Sequence, residues 1–159
     1  MGKRKYVWGA LALIVVVGIF LSVSPKGSSF PAVDGFEKDI QIFKSSSCGC
    51  CGIYADYFQR KGNSGAKVVN LPSIDSIKEN YGVPSALQSC HTAIVGDYFV
   101  EGHIPLEAVE KLLTEKPDIK GIAMSGMPSG SPGMPGTKSG DFVVYAVNHD
   151  GSFGEWMRI

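Results

Sequence analysis

The chain has 159 residues, 44% of them hydrophobic and 19% charged, with 15 basic residues against 15 acidic ones. That length suits one domain with something appended, and the apolar fraction is enough for a core. A formal net charge of zero excludes the basic footprint of a nucleic-acid binder.

Lys3, Arg4 and Lys5 precede an uncharged run from Tyr6 to Val23. Basic then apolar is the order of a signal peptide or a signal anchor. As a helix, residues 7–23 would span about 25 Å, just short of a ~30 Å hydrocarbon core. Ser22-Val23-Ser24 has the small-x-small form of a cleavage site, but Pro25 would follow the cut, where its fixed φ and missing N–H hinder a peptidase. An uncleaved anchor therefore fits better than a cleaved signal. Either places the remainder outside the cytoplasm, in the periplasm or on the outer face of the inner membrane. Residues 1–24 carry three basic and no acidic residues, so the exported part keeps 12 against 15, a net −3.

Residues 25–38 begin rich in Ser, Gly, Lys and Pro and read as a tether, leaving 39–159 as the folded domain. Residues 39–44 alternate as a strand. After Cys51, Ile53, Tyr57 and Phe58 recur at helical spacing until Gly62 stops the run. Residues 66–71 form a second short strand, and 73–80 a short helix that Ser73 caps. Residues 92–95 are an apolar strand, Gly96-Asp97 a tight turn, and 98–101 the hairpin partner. Pro105 opens an amphipathic helix with Leu106, Val109, Leu112 and Leu113 on one face. Residues 116–140 read as loop. Residues 142–147 and 152–159 flank Asn148-His149-Asp150-Gly151, a hairpin turn that makes His149 plain surface. The resulting order, strand, cysteine loop, helix, strand, helix, hairpin, helix, predicts an α/β fold of thioredoxin-like type: a central mixed sheet with flanking helices, plus a C-terminal β-hairpin extension. The stretch from Thr92 to Leu113 resembles the second half of glutaredoxins.

The chemistry concentrates in the cysteines. Cys48 and Cys51 have C-x-x-C spacing at a strand–helix junction, where unpaired helix N–H groups stabilise thiolate. Cys50 adds a third thiol, and Gly49 lets the loop fold tightly. Three crowded soft donors suit Cu(I), or zinc, better than simple dithiol exchange. In the glutaredoxin-like alignment His91 takes the place of a cis-proline that faces the C-x-x-C loop, bringing Cys90 and His91 to the three thiols. His103 is a further candidate ligand at the end of the hairpin. Met127 and Met134 offer thioether donors that bind Cu(I) without deprotonation, or belong to a lid in which methionine is incidental. The competing reading is two disulfides, Cys48–Cys51 and Cys50–Cys90. Against it, bridging near neighbours closes little loop and adds little stability.

Three blocks in order, C-G-C-C-G, then Y-G-V-P-S-A-L-Q-S-C-H-T-A through E-G-H-I-P, then G-M-P-S-G-S-P-G-M, resemble the CopG family of bacterial periplasmic copper-resistance proteins. The resemblance runs from about Ile40 to Ile159. It implies a thioredoxin-like fold, copper held at the cysteine motif as one or several Cu(I) ions, and a part in copper tolerance by interconverting Cu(I) and Cu(II). By motif, Cys48, Cys50, Cys51, Cys90, His91, His103, Met127 and Met134 are the matching metal ligands. The implied partners are copper ions, other copper-handling proteins of the envelope and, through the N-terminal helix, the membrane, with no nucleic acid. If the chain is an enzyme, these motifs make it a copper or thiol oxidoreductase. The alternatives are a thiol–disulfide oxidoreductase using Cys48 and Cys51 with Cys90 as a third redox partner, and an interaction module with oxidised cysteines.

Overall fold

Alternation of apolar and polar residues in the strands, and apolar residues three and four apart in the helices, give each element one face to bury. The computed structural model describes residues 29–159, so the signal or anchor expected over 1–24 lies outside the described residues. The elements are α1 (Pro31–Asp34), β1 (Ile40–Ser45), α2 (Gly49–Lys61), β2 (Lys67–Leu71), α3 (Asp75–Tyr81), a 3₁₀ turn (Ser85–Leu87), β3 (His91–Val95), β4 (Tyr98–Glu101), α4 (Leu106–Glu115), β5 (Gly121–Ala123), β6 (Val143–Val147) and β7 (Phe153–Arg158). The described strands form one mixed sheet in the order β2-β1-β3-β4-β5-β6-β7. β1 lies parallel to β2 and antiparallel to β3, β3 and β4 form the hairpin, and β4 lies parallel to β5. β5, β6 and β7 continue antiparallel, so the C-terminal hairpin extends the sheet as expected.

Both faces of the sheet are covered. The register neighbours Ile42, Ala93, Val100 and Ile122 make a row across four strands, and Tyr54 and Phe58 of α2 and Leu106, Val109 and Leu112 of α4 join the same core. Ile94, Phe99, Ala123 and Val147 belong to a second core with Val83 and Leu87. Among the described residues no helix is long and apolar enough to cross a membrane.

Four expectations change. The tether is folded over part of its length: Pro31–Asp34 form α1, which docks on α4 with Val33 fully buried. The Glu110 carboxylate accepts the Ala32 and Val33 N–H groups at 3.0 Å, and the Asn63 amide donates to the carbonyls of Val33 (2.9 Å) and Phe36 (3.1 Å). Composition hid this because the anchors come from α2's end and α4, far along the chain. The stretch expected to be loop contains β5, a three-residue strand whose parallel pairing with β4 decides its conformation. In α2 the buried positions are Cys51, Tyr54, Ala55 and Phe58, while Ile53 is 61% exposed, so the apolar face is rotated from the expected one. Helix α3 starts at Asp75, whose N–H donates to Ser73 Oγ at 3.1 Å, two residues inside the expected start.

Candidate metal centre

Cys48 is the extended residue immediately before α2, and its N–H donates to the Ser45 carbonyl at 3.0 Å. No side chain caps this helix start, so its free N–H groups and dipole favour negative charge on nearby sulfur. Cys90 comes to the same place from the residue before β3, which pairs with β1 and ends beside the cysteine loop. Cys50 Sγ lies 3.5 Å from Cys48 Sγ and 3.9 Å from Cys90 Sγ, and Cys51 Sγ lies 3.4 Å from the Cys90 carbonyl oxygen.

Cys48 and Cys51 are joined by a disulfide, and Cys50 and Cys90 are free. The expected pocket of three thiols is therefore, in this state, a disulfide with one free thiol beside it. Residues three apart at a helix start share a face, which brings Cys48 and Cys51 within bonding range. Of the two bridges in the competing reading, Cys48–Cys51 is formed, whereas Cys50 and Cys90 face each other as thiols.

Two imidazoles complete the arrangement. His91 and His103 are fully buried, their rings edge to face with centroids 4.7 Å apart, and the Tyr54 ring packs against His91 at 4.2 Å with a tilt of 41°. His103 Nε2 lies 3.0 Å from Cys90 Sγ, and its Nδ1–H donates to the Pro132 carbonyl at 2.7 Å. That bond fixes the tautomer and turns the Nε2 lone pair toward the sulfur, which is how metal-binding histidines are oriented. His91 Nδ1 lies 3.9 Å from Cys90 Sγ, while its Nε2 is the buried side-chain polar atom, among the described residues, without a hydrogen-bond partner.

Burial, reinforced by His103 and Lys78, holds the His91 pKa well below the usual imidazole range; the nearby Gly102 carbonyl pulls the other way. Burial also lowers His103, against the Pro132 carbonyl. Both shifts favour the neutral ring, the form a metal requires. Burial and then the neighbouring Cys50 push the Cys90 thiol up to about 11, so without a cation this sulfur keeps its proton.

The Gly/Pro-rich segment packs against the site. Gly133 has φ +84°, and a Cβ there would stand 2.8 Å from Tyr54 N and 2.9 Å from the Cys50 carbonyl, both backbone atoms of α2. Ser89 Oγ donates to the Gly126 carbonyl at 2.6 Å. Met134 follows Gly133 and is half-buried, whereas Met127 is 54% exposed. His149 is exposed, pairs with Asp118 at 3.0 Å and belongs to neither donor set.

Sequence reasoning missed Pro132, whose contribution is a carbonyl and so leaves no side-chain signal. It also missed Glu101, fully buried and paired with Lys78. Burial pushes the Glu101 carboxyl above its usual range, against Lys78, Thr92 and Ser89, which stabilise its charge.

A family model described as a protein of unknown function, DUF411, matches residues 87–134, the stretch that carries Cys90, His91, His103, Met127 and Met134. None of the curated proteins matches the chain. Two solved structures, titled copper resistance protein CopG form 2 and form 1, are 32% and 31% identical to it, each with a TM-score of 0.65. Each match covers 76% of this chain, and 97% and 96% of the respective CopG chains. The chain belongs to the CopG family. In this CopG-family chain the donor atoms form two overlapping sets, each within 4.8 Å: the sulfurs of Cys48, Cys50, Cys51 and Cys90, and Cys90 with His91 and His103. Cys90 is common to both. Thiolate and neutral imidazole together suit a soft or borderline cation, and His91 Nδ1 is the imidazole nitrogen found 3.9 Å from the shared Cys90 sulfur.

Proposed function

We propose that this CopG-family chain binds copper in the cell envelope and contributes to copper resistance. Reduced Cys48, Cys50 and Cys51 supply thiolates for Cu(I), Cys90 bridges, His91 and His103 close the site, and Met127 and Met134 pass copper in and out. The observation that carries this reading is the presentation of His103 Nε2 toward Cys90 Sγ at 3.0 Å by the Pro132 carbonyl, beside three further sulfurs. An ordinary core histidine has no need of that shell. The strand order from β1 to β4 supports the thioredoxin-like reading, and the basic-then-apolar leader supports export. Copper in either valence is the cargo; cycling between them would draw on the sulfur set, which can itself gain or lose electrons.

The test is copper titration of reduced protein, followed by the same titration with Cys→Ser at 48, 50 and 51. Lower copper per chain in the variants is expected, and unchanged stoichiometry rejects the assignment. A second reading, thiol–disulfide oxidoreductase, is favoured by one observation, the Cys48–Cys51 bridge with the Cys50 thiol 3.5 Å from Cys48 Sγ. Copper-independent reduction of a model disulfide, abolished by Cys48→Ser, would establish it instead.

A further inference from the structure

Successive residues of a strand point to opposite faces of the sheet, so His91 and Thr92 divide between two environments. His91 meets Tyr54 of α2 on the donor side. Thr92 meets a buried ion pair on the other side, where Lys78 of α3 is 3% exposed and Glu101 of β4 is fully buried. Thr92 and Glu101 are register partners across the β3–β4 hairpin. The Glu101 carboxylate takes three donors from three segments. Oε1 accepts the Ser89 N–H at 2.6 Å and the Lys78 ammonium, and Oε2 accepts the Thr92 hydroxyl at 2.6 Å. Lys78 Nζ also donates to Thr92 Oγ1 at 3.1 Å, so every member of the group is satisfied.

Ser89 and Thr92 are the residues on either side of Cys90-His91. One carboxylate thus grips both ends of the two-residue segment that supplies a sulfur and an imidazole, and it does so from behind the sheet. Glu101 also precedes Gly102-His103, where Gly102 has φ +81° and a Cβ would stand 2.6 Å from the Met124 carbonyl, so the second imidazole leaves the same anchor along a tightly packed turn. A buried ion pair is weak evidence for stability, since apolar residues of similar size commonly do as well. Its geometric consequence here is specific. We infer that the buried Lys78–Glu101 pair is a positioning device that holds Cys90 and His91 in register for copper. Glu101 acts through its hydrogen bonds to Ser89 and Thr92, and Lys78 holds the carboxylate in place. This rests on the proposed copper function.

The experiment compares full-length wild-type protein with K78M/E101Q and K78M/E101L. Both double variants remove the two charges together, which avoids an unpaired buried ion. Glutamine still accepts from the Ser89 N–H and can donate to the Thr92 hydroxyl; leucine does neither. Cu(I) affinity measured by competition with a chromophoric chelator should stay within about threefold in K78M/E101Q and fall roughly 10- to 100-fold in K78M/E101L, the range found when outer partners of metal ligands are removed. In metal-free protein the Ser89 amide should lose hydrogen-exchange protection in K78M/E101L alone. X-ray absorption of copper-loaded K78M/E101L should show fewer imidazole and sulfur neighbours than wild type. If K78M/E101L does not fold, Thr92→Val carries the test, with a three- to tenfold weaker affinity expected. Wild-type affinity in a folded K78M/E101L or in Thr92→Val overturns the inference. Failure of wild-type protein itself to bind copper overturns the proposed function instead.

Discussion

Replacing Gly133 with alanine separates a docked loop from one that merely lies near the centre. At φ +84° a non-glycine residue pays about 1 kcal/mol for left-handed backbone. The new Cβ would stand 2.8 Å from Tyr54 N and 2.9 Å from the Cys50 carbonyl, and both are helix backbone that cannot rotate away. Relief requires the loop to retreat by roughly half an ångström, and overpacking of this kind costs about 1–3 kcal/mol. The same retreat stretches the 2.7 Å bond between His103 Nδ1 and the Pro132 carbonyl to its useful limit near ~3.2 Å, losing about 1 kcal/mol more. The total is about 4 kcal/mol, a fall in Tm on the order of 10 °C for a domain of this size. Gly140 is the control: its φ is +79° and a Cβ there meets nothing within 4 Å, so Gly140→Ala incurs the backbone cost of about 1 kcal/mol alone. Thermal unfolding of reduced, metal-free protein, followed by circular dichroism, gives both shifts. Equal shifts in the two variants would refute the claim that this loop is seated on α2 and orients His103.

Lys78→Met leaves the fully buried Glu101 without its cation and should cost about 3–5 kcal/mol in denaturant unfolding at neutral pH; a loss below about 1 kcal/mol would mean the pair is not closed off from water. Glu110→Ala removes the acceptor of the Ala32 and Val33 N–H groups; it should cost about 2 kcal/mol and admit protease near residues 30–36, whereas cleavage at the wild-type rate would argue against docking of α1. Oxidation that forms the Cys48–Cys51 bridge leaves Cys50 and Cys90 of the four-sulfur set, so tightly held copper per chain, measured by elemental analysis after desalting, should drop relative to reduced protein. The same copper content in both states would show that those two sulfurs are not ligands.

The elements legible in the sequence were those whose signals are local. The Gly96-Asp97 turn sets the β3–β4 hairpin, Pro105 opens α4, and the Asp150-Gly151 turn sets the last hairpin. The approach of Cys90 to the C-x-x-C loop was also readable through the glutaredoxin-like alignment of His91, and the pairing of β3 with β1 is what brings them together. What escaped depends on partners far along the chain. β5 has three residues and takes its conformation from β4, and α1 takes its cap from Glu110, 77 and 78 residues away. Lys78 and Glu101 carry no local signal of their pairing, which the fold creates by placing both behind the donor strand. The bridge between Cys48 and Cys51 could be named as an alternative but not chosen, because thiol and disulfide are states of one sequence.

The two halves of the donor set are supported differently, and this bears on how binding and release can be separated. Cys90, His91 and His103 are held by buried partners: the Pro132 carbonyl on His103, Tyr54 on His91, and the Glu101 carboxylate on both flanks of Cys90-His91. Cys48, Cys50 and Cys51 lie at an uncapped helix start, where a Cβ on either Gly49 or Gly52 would meet nothing within 4 Å. A change of thiol state at Cys48 and Cys51 therefore alters the number of sulfur donors while the imidazole half keeps its supports. The halves meet at Cys90 and at Pro132-Gly133, where the Pro132 carbonyl accepts from His103 and Gly133 packs close to the α2 backbone at Cys50. Under the proposed copper function, capture by the imidazole half and release by a redox change in the sulfur half would then be separable steps, provided that short loop stays seated.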